Sequence, residues 1–164
     1  MKARRVWLGL GSNIDAEKNI RTAVAVLREI NGELVISPVY ESAAVGFEGD
    51  NFLNLVVGIN TPESLVDLHD HLKAIESENG RLHGGEKFSA RTLDIDILTY
   101  GNEDFTEEGV NIPRHEILTY AFVLKPLCDV APTELHPHLQ IDYQTLWNGF
   151  DQASQTMSHY PMRF

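Results

Sequence analysis

Two aspartates stand two residues apart in the run Ala90-Arg91-Thr92-Leu93-Asp94-Ile95-Asp96-Ile97-Leu98-Thr99-Tyr100. Leu93, Ile95 and Ile97 are apolar while Thr92, Asp94 and Asp96 are polar, and this period-two alternation predicts a half-buried strand. On a strand, Asp94 and Asp96 project from one face, about 6–7 Å apart. Two carboxylates so placed repel each other in a low-dielectric site unless a cation lies between or beside them. Oxygen-only ligation suits Mg2+ or Mn2+, held by one or two carboxylates together with substrate phosphates. Arg91, at the strand entrance, is a natural phosphate partner. A polar face that is merely solvated explains the same alternation, so the chemistry depends on what other elements bring beside it.

Those elements are readable in order. Residues 5–11 predict a first strand ending in the turn Gly11-Ser12-Asn13; Gly9 and Gly11 begin a dinucleotide fingerprint, but Ile14 holds the third glycine position, so that reading is set aside. Residues 15–30 predict a helix: Ile20, Ala23, Val24, Leu27 and Ile30 recur at helical spacing, Asp15 is available as N-cap, and Asn31-Gly32 stops it. Residues 34–42 read as a strand that Pro38 confines to an edge or bulge, and residues 52–59 as another, with a long loop at 43–51 between them. A second helix is expected over 62–79, with Thr61 as N-cap, Pro62 at its first position and Leu65, Leu68, Leu72 and Ile75 inward. His69 and His71 lie two apart on it, point in different directions and read as solvent-facing or rim residues rather than a metal pair.

Residues 80–90 read as a flexible loop feeding the aspartate strand, and 102–109 as an acidic hairpin. A short helix is expected over 121–130, with Phe122, Leu124, Leu127 and Val130 inward. His136-Pro137-His138 has no matching Cys or His cluster and reads as an exposed loop rather than a metal site. Residues 1–149 are expected to form one domain and 150–164 a polar, loosely ordered C-terminal tail. The order β-α-β-β-α-β is that of an α+β, ferredoxin-like sandwich. Helices would cover one face of a mostly antiparallel sheet and later helical pieces the other, a three-layer arrangement.

The 164 residues are 43% hydrophobic and 23% charged, as in ordinary soluble proteins. A net charge of −11 excludes a broad nucleic-acid surface but not a small phosphate site with a few local arginines. The single cysteine, Cys128, excludes an internal disulfide and reads as a core residue. The basic start at Met1-Lys2-Ala3-Arg4-Arg5 leads into no signal-type apolar run, and no stretch approaches the ~18 residues that span a bilayer. A cytoplasmic protein with no membrane partner is expected, reading as a monomer.

Several short motifs occur in one order: Leu10-Gly11-Ser12-Asn13; Tyr40 with Ser42; Phe52-Leu53-Asn54; Ile75-Glu76 with Gly80-Arg81; Arg91-Thr92-Leu93-Asp94-Ile95-Asp96-Ile97; Ile112-Pro113; and Phe122-Val123-Leu124 with Pro126-Leu127. Together, over about residues 6–132, they resemble the 6-hydroxymethyl-7,8-dihydropterin pyrophosphokinase family, the run from Arg91 to Asp96 being the most specific part. The resemblance implies transfer of the β,γ-pyrophosphoryl unit of ATP to the pterin hydroxymethyl oxygen, with release of AMP, in folate biosynthesis. It implies that Asp94 and Asp96 hold two Mg2+ ions bridging the triphosphate, one of which activates the attacking hydroxyl, and that Arg81 and Arg91 grip phosphate oxygens. Glu76, Ile97, Arg114 and His115 fall with these arginines at ATP-binding positions. Phe52 and Phe122 match the rings that sandwich the pterin, Asn54 the reader of its amide edge, and Ser42 with the backbone of Ala43 and Val45 the rest of its rim. Without the resemblance, Phe52 and Phe122 read as core residues.

The chain also departs from the family pattern. Pro113-Arg114 stands where Pro-His is usual, Tyr120 where an arginine is usual, and Ala43-Ala44 where Pro-Pro is usual. His83, Gly84, Phe88, Ser89 and Ala90 replace a loop that commonly carries basic residues, a tryptophan and Gly-Pro. Each lost charge-assisted bond to phosphate is worth about 1.5–3 kcal/mol, with Arg114 a partial substitute. A second reading follows from these losses: a divergent pterin-binding paralogue with weak or altered phosphotransfer.

Overall fold

Period-two alternation in three strands and helical periodicity in two segments direct their apolar residues into one shared layer, and the remaining elements are arranged around it. A computed structural model describes residues 2–43, 51–82 and 93–164, with only the backbone of Arg81 and Leu82. In chain order the elements are β1 (Arg4–Ser12), α1 (Ala16–Asn31), β2 (Val35–Ile36), β3 (Val39–Ser42), β4 (Phe52–Thr61), α2 (Leu65–Leu82) and β5 (Asp94–Tyr100), followed by α3 (Glu116–Thr119), α4 (Ala121–Val130), α5 (Tyr143–Asn148) and β6 (Met157–Tyr160). The sheet order is β5-β1-β4-β3-β6, with β2 also paired to β4, and the pairings are antiparallel.

Val6, Leu8 and Leu10 of β1, Leu53, Leu55, Val57 and Ile59 of β4, and Ile95 and Ile97 of β5 form one core with Ile20, Val24, Leu27, Leu68 and Leu72 of the two long helices. Fully burying such a side chain is worth about 1.5–3 kcal/mol. The alternate residues Trp7, Val56 and Leu98 face the other way, into a second core with Ile117, Leu124, Leu127, Cys128 and Tyr143 from α3, α4 and α5. The sheet is thus the middle of three layers. A register shift between Trp7 and Leu8 lets Trp7 pair with Thr99 and Leu8 with Ile97.

Several local expectations are corrected. Pro38, which has no N–H for a ladder, divides the predicted 34–42 strand into β2 and β3. Ser37 maintains the connection to β4: its N–H donates to Val56 O at 2.9 Å and its Oγ accepts the Val56 N–H at 2.8 Å. Thr61 ends β4 instead of capping α2; Ser64 Oγ accepts the Asp67 N–H and caps a helix that begins at Leu65 and runs to Leu82, so Gly80 and Arg81 belong to its last turn. Asp15 sits before α1 in the left-handed region, φ 44°, with no side-chain cap bond. Ile30, expected inward, is 59% exposed. The 102–109 segment forms one bridge, Tyr100 to Glu103, and a single 3-10 turn rather than a hairpin.

Two further corrections concern the C-terminal part. His136 is buried, not in an exposed loop: its Nδ1 accepts the N–H groups of His138 and Leu139 at 3.2 and 3.1 Å. Residues beyond Gly149 are not a loosely ordered tail, because β6 adds to the sheet edge with Val39 opposite Tyr160 and Ser42 opposite Met157. No helix among the described residues is long and apolar enough to cross a membrane.

Candidate active site

The second apolar layer covers only half of the outer sheet face. Beyond Trp7, Val56 and Leu98, the same rows of the sheet continue into polar residues and glycines. Asp96 pairs with Gly9, and Gly9 with Val56; Asp94 pairs with Gly11, Gly11 with Asn54, and Asn54 with Tyr40. Neighbouring strands lie about 4.8 Å apart, so Asp94 and Asn54 flank a two-strand gap whose floor is Gly11. The resulting cleft, about 310 Å³, is bounded by Asp94 and Asp96 on one side and by Ser42, Phe52 and Asn54 on another, with Arg114, Tyr120 and Phe122 closing it from α3 and α4 and the segment before them.

The glycines leave this cleft its space. A Cβ at Gly11 would lie 2.7 Å from Asn54 Oδ1, inside any tolerated contact, and one at Gly9 would lie 3.2 Å from the Leu98 side chain. Asn54 is buried, yet among the described residues its Nδ2 has no partner, and neither has the buried Ser42 Oγ. Buried polar groups without partners are costly. Two of them lining one cleft beside two aromatic rings form a ready edge for a flat, hydrogen-bonding ligand. Phe122 is stacked with Tyr120 at 4.9 Å between centroids and 18° between planes.

The acidic side is electrostatically tense. Burial raises the Asp96 carboxyl above its usual range; Arg114 opposes that shift and Asp94 reinforces it. Arg114 Nη1 lies 3.8 Å from Asp96 Oδ1, while its Nε and Nη2 donate to Glu116 Oε2 at 2.9 and 2.6 Å. Burial would raise Glu116, but the bonds from Arg114 and Asn111 hold it below the usual carboxylate range. A desolvated carboxylate next to a second one, with only oxygen donors, fits a hard divalent cation. Among the described residues no set of three or more His, Cys, Asp or Glu side chains could hold a metal, so water and phosphate oxygens would complete the shell.

A second cavity of about 280 Å³ lies along the free edge of β5, lined mainly by Leu65, Leu72, Ile95, Ile97, Val110 and Ile112. Asp96 and Arg114 line both cavities and stand between them.

The predicted residues are therefore brought together in part. Asp94, Asp96, Ser42, Phe52, Asn54, Phe122 and Arg114 share the cleft, and Ile97 lines the second cavity. Ala43 is exposed beside the cleft and is not among its lining residues. Glu76 accepts the Ile95 N–H at 2.7 Å and an ion pair from Lys73 at 3.3 Å, tying α2 to the edge of β5; burial raises its carboxyl. The His115 side chain is 72% exposed and lines neither cavity, but pairs with Glu116, which lines the cleft. Val45, Arg91 and the side chain of Arg81 lie outside the described residues, as do residues 83–90. Sequence reasoning missed the space-making role of Gly9 and Gly11, the hold of Glu116 on Arg114, and the stacking of Tyr120. The alternation of glycine with Leu8 and Leu10 was the available signal for the first; the other two depend on tertiary contacts.

Comparisons with known proteins meet this geometry. Residues 7–132 match the family described as 7,8-dihydro-6-hydroxymethylpterin-pyrophosphokinase. The chain is similar to the 2-amino-4-hydroxy-6-hydroxymethyldihydropteridine pyrophosphokinase of Haemophilus influenzae, 32% identical over 139 residues that cover 82% of this chain and 86% of that protein. It is 37% identical over 134 residues to the protein of the same name from Aquifex aeolicus, covering 80% and 83%. A folic acid synthesis protein of Schizosaccharomyces pombe is 34% identical over 155 residues, which are 92% of this chain and 21% of that one. Among solved structures, wild-type HPPK-DHPS of Plasmodium falciparum shares the fold, with a TM-score of 0.71 at 14% identity; the match spans 90% of this chain and 45% of that one.

Proposed function

This chain belongs to the 7,8-dihydro-6-hydroxymethylpterin-pyrophosphokinase family, and we propose that the cleft over Gly11 takes the pterin and the β5-edge cavity the adenine of ATP. The observation that carries this reading is the shared cleft itself: the two acids, the two phenyl rings and the two unpartnered polar atoms all line it. The family's reaction joins the pterin hydroxymethyl oxygen to the β-phosphorus of ATP and expels AMP.

Phe52 and Phe122 bracket the bicyclic ring, a contact worth about 0.5–1.5 kcal/mol beyond area for an aromatic pair. Asn54 Nδ2 and Ser42 Oγ gain the partners they lack, and Asn54's amide can both donate and accept along the pterin edge. The apolar walls formed by Leu72, Ile97 and Ile112 suit the adenine face, so the triphosphate crosses the ridge where Asp96 and Arg114 stand. Asp94 and Asp96 would hold Mg2+, which when bound neutralises phosphate charge and acidifies a coordinated hydroxyl. Arg114, held by Glu116, presents a guanidinium at the ridge for the charge that builds on the phosphates. The rest of the catalysis is orientation: rigid strands place the acceptor oxygen and the donor phosphorus in line.

Incubating the protein with ATP and Mg2+, with and without 6-hydroxymethyl-7,8-dihydropterin, tests this directly. AMP that appears only with the pterin is the expected product. ADP, or AMP release indifferent to the pterin, would overturn the reading.

A further inference from the structure

The walls that carry Ser42, Tyr120 and Phe122 are tied to one segment that lies beyond residues 7–132, the part matched by the family. A helix start leaves N–H groups without intrahelical partners and a helix end leaves carbonyls likewise. At the junction of α3 and α4 both occur within three residues. Tyr120, in the N-cap position of α4, is extended at φ −119° and ψ 128° and supplies no side-chain cap. One side chain satisfies both orphan groups: Gln155 Oε1 accepts the Ala121 N–H at 2.8 Å, and Gln155 Nε2 donates to Thr119 O at 2.9 Å. The amide thus brackets Tyr120 and fixes the backbone one residue before Phe122, whose ring is stacked on that of Tyr120. Two residues on, Met157 pairs with Ser42 at the end of the β6–β3 ladder. The aromatic wall and the polar rim are therefore anchored to the same three residues of chain, Gln155 to Met157.

We propose that Gln155 is a positioning residue for pterin binding, acting through the α3–α4 junction on Tyr120 and Phe122. The inference rests on the reading that this cleft takes the pterin. It does not involve the triphosphate, because both hydrogen bonds of the Gln155 amide go to the α3–α4 junction.

The test uses the full chain and compares wild type with Gln155→Ala and Gln155→Glu in initial-rate and pterin-titration experiments. For Gln155→Ala the expected result is a rise in pterin KM and Kd of about tenfold, the scale of two lost hydrogen bonds, with the KM for ATP changed by less than about twofold. Gln155→Glu keeps an acceptor for the Ala121 N–H but sets a second oxygen against Thr119 O, so the pterin KM stays raised in that variant too. In a Phe122→Leu background, Gln155→Ala adds less than about twofold, because the wall it orients has gone. A purely structural role would lower the active fraction and leave both KM values alone. Unchanged pterin KM in both variants, an equal shift for ATP, or full additivity with Phe122→Leu would overturn the inference. A wild-type protein that binds no pterin would overturn the functional reading first, and is distinguished by that from a failure of Gln155 alone.

Discussion

The two halves of the outer sheet face are built on the same strands, one residue row apart, and have opposite properties. In the covered half, Trp7, Val56 and Leu98 meet α4 and α5, and two of the polar groups reach across the layer to acids: Trp7 Nε1–H donates to both Glu134 oxygens at 3.0 and 3.1 Å, and Tyr40 O–H donates to the Asp129 carboxylate. Its packing is close enough that Gly58 leaves room for the Trp7 ring, where a Cβ would lie 2.4 Å away. In the open half, one or two rungs along, Ser42 Oγ and Asn54 Nδ2 are buried with no partner among the described residues, and the charge of Asp94 opposes that of the desolvated Asp96. The inner face, filled throughout by Leu8, Leu10, Leu55 and Ile95, shows that the strands could have carried apolar residues there too. Stability is concentrated where the outer layer reaches, and reactivity where it stops.

The largest expected effect comes from the acids of the open half. Asp96→Asn should lower pterin-dependent AMP release by about 10²–10³-fold or more, the scale of losing a preorganised charge at the reacting phosphates. Because burial raises the Asp96 carboxyl, its ionised form opposes folding near neutral pH, so the same variant should melt no lower than wild type. A drop in Tm with activity retained would reverse the comparison. Leu127→Ala probes the covered half. Leu127 is fully buried in the outer core, and its truncation should cost about 2–5 kcal/mol in denaturant unfolding while turnover per folded molecule stays near wild type.

How much of this was legible beforehand follows from the range of the interaction concerned. Period two placed Asp94 with Asp96, and Phe52 with Asn54, on shared faces, because alternation is a property of the strand itself. Helical spacing gave the stripe from Leu65 to Ile75 for the same reason, but not where it began, since Ser64 and Thr61 are both good caps and the reach of β4 decides between them. The antiparallel sandwich followed from element order. What stayed hidden depends on partners far away in sequence: Gln155 at Ala121, Glu116 at Arg114, β6 at β3, and the burial of His136. Gly9 and Gly11 illustrate another limit, because a glycine's part in a cleft is the volume it leaves.

That volume gives the next test. Gly11→Ala places a methyl 2.7 Å from Asn54 Oδ1, on the floor between the acids and the pterin edge. Pterin affinity in a direct titration should fall about tenfold, equivalent to about 1.4 kcal/mol, while binding of a non-hydrolysable ATP analogue is retained. Equal affinity for pterin would mean that Asn54 does not read the ligand and that the open half is open for another reason.

The smallest effect concerns pH and belongs to the covered half. His136 Nδ1 must be unprotonated to accept the His138 and Leu139 N–H groups, and its ring meets Tyr143 of the outer core edge-on, 6.4 Å between centroids at 72°. Burial lowers its pKa below the usual 6.5; the nearby His138 adds to this and Asp104 opposes it. The unfolded chain therefore takes up the proton first. The contribution of neutral His136 is fully present above about pH 6.5 and is lost as the pH falls toward the folded value, each unit of separation being about 1.4 kcal/mol. His136→Asn keeps an acceptor on a short side chain and cannot titrate. Unfolding free energies measured from pH 7.5 down to 5.0 should fall less steeply in this variant than in wild type, the difference isolating His136 from the exposed His138–Asp104 pair, which both proteins retain. Parallel curves would show that the histidine titrates alike in folded and unfolded chains, and that the covered half tolerates a charge as readily as the open one.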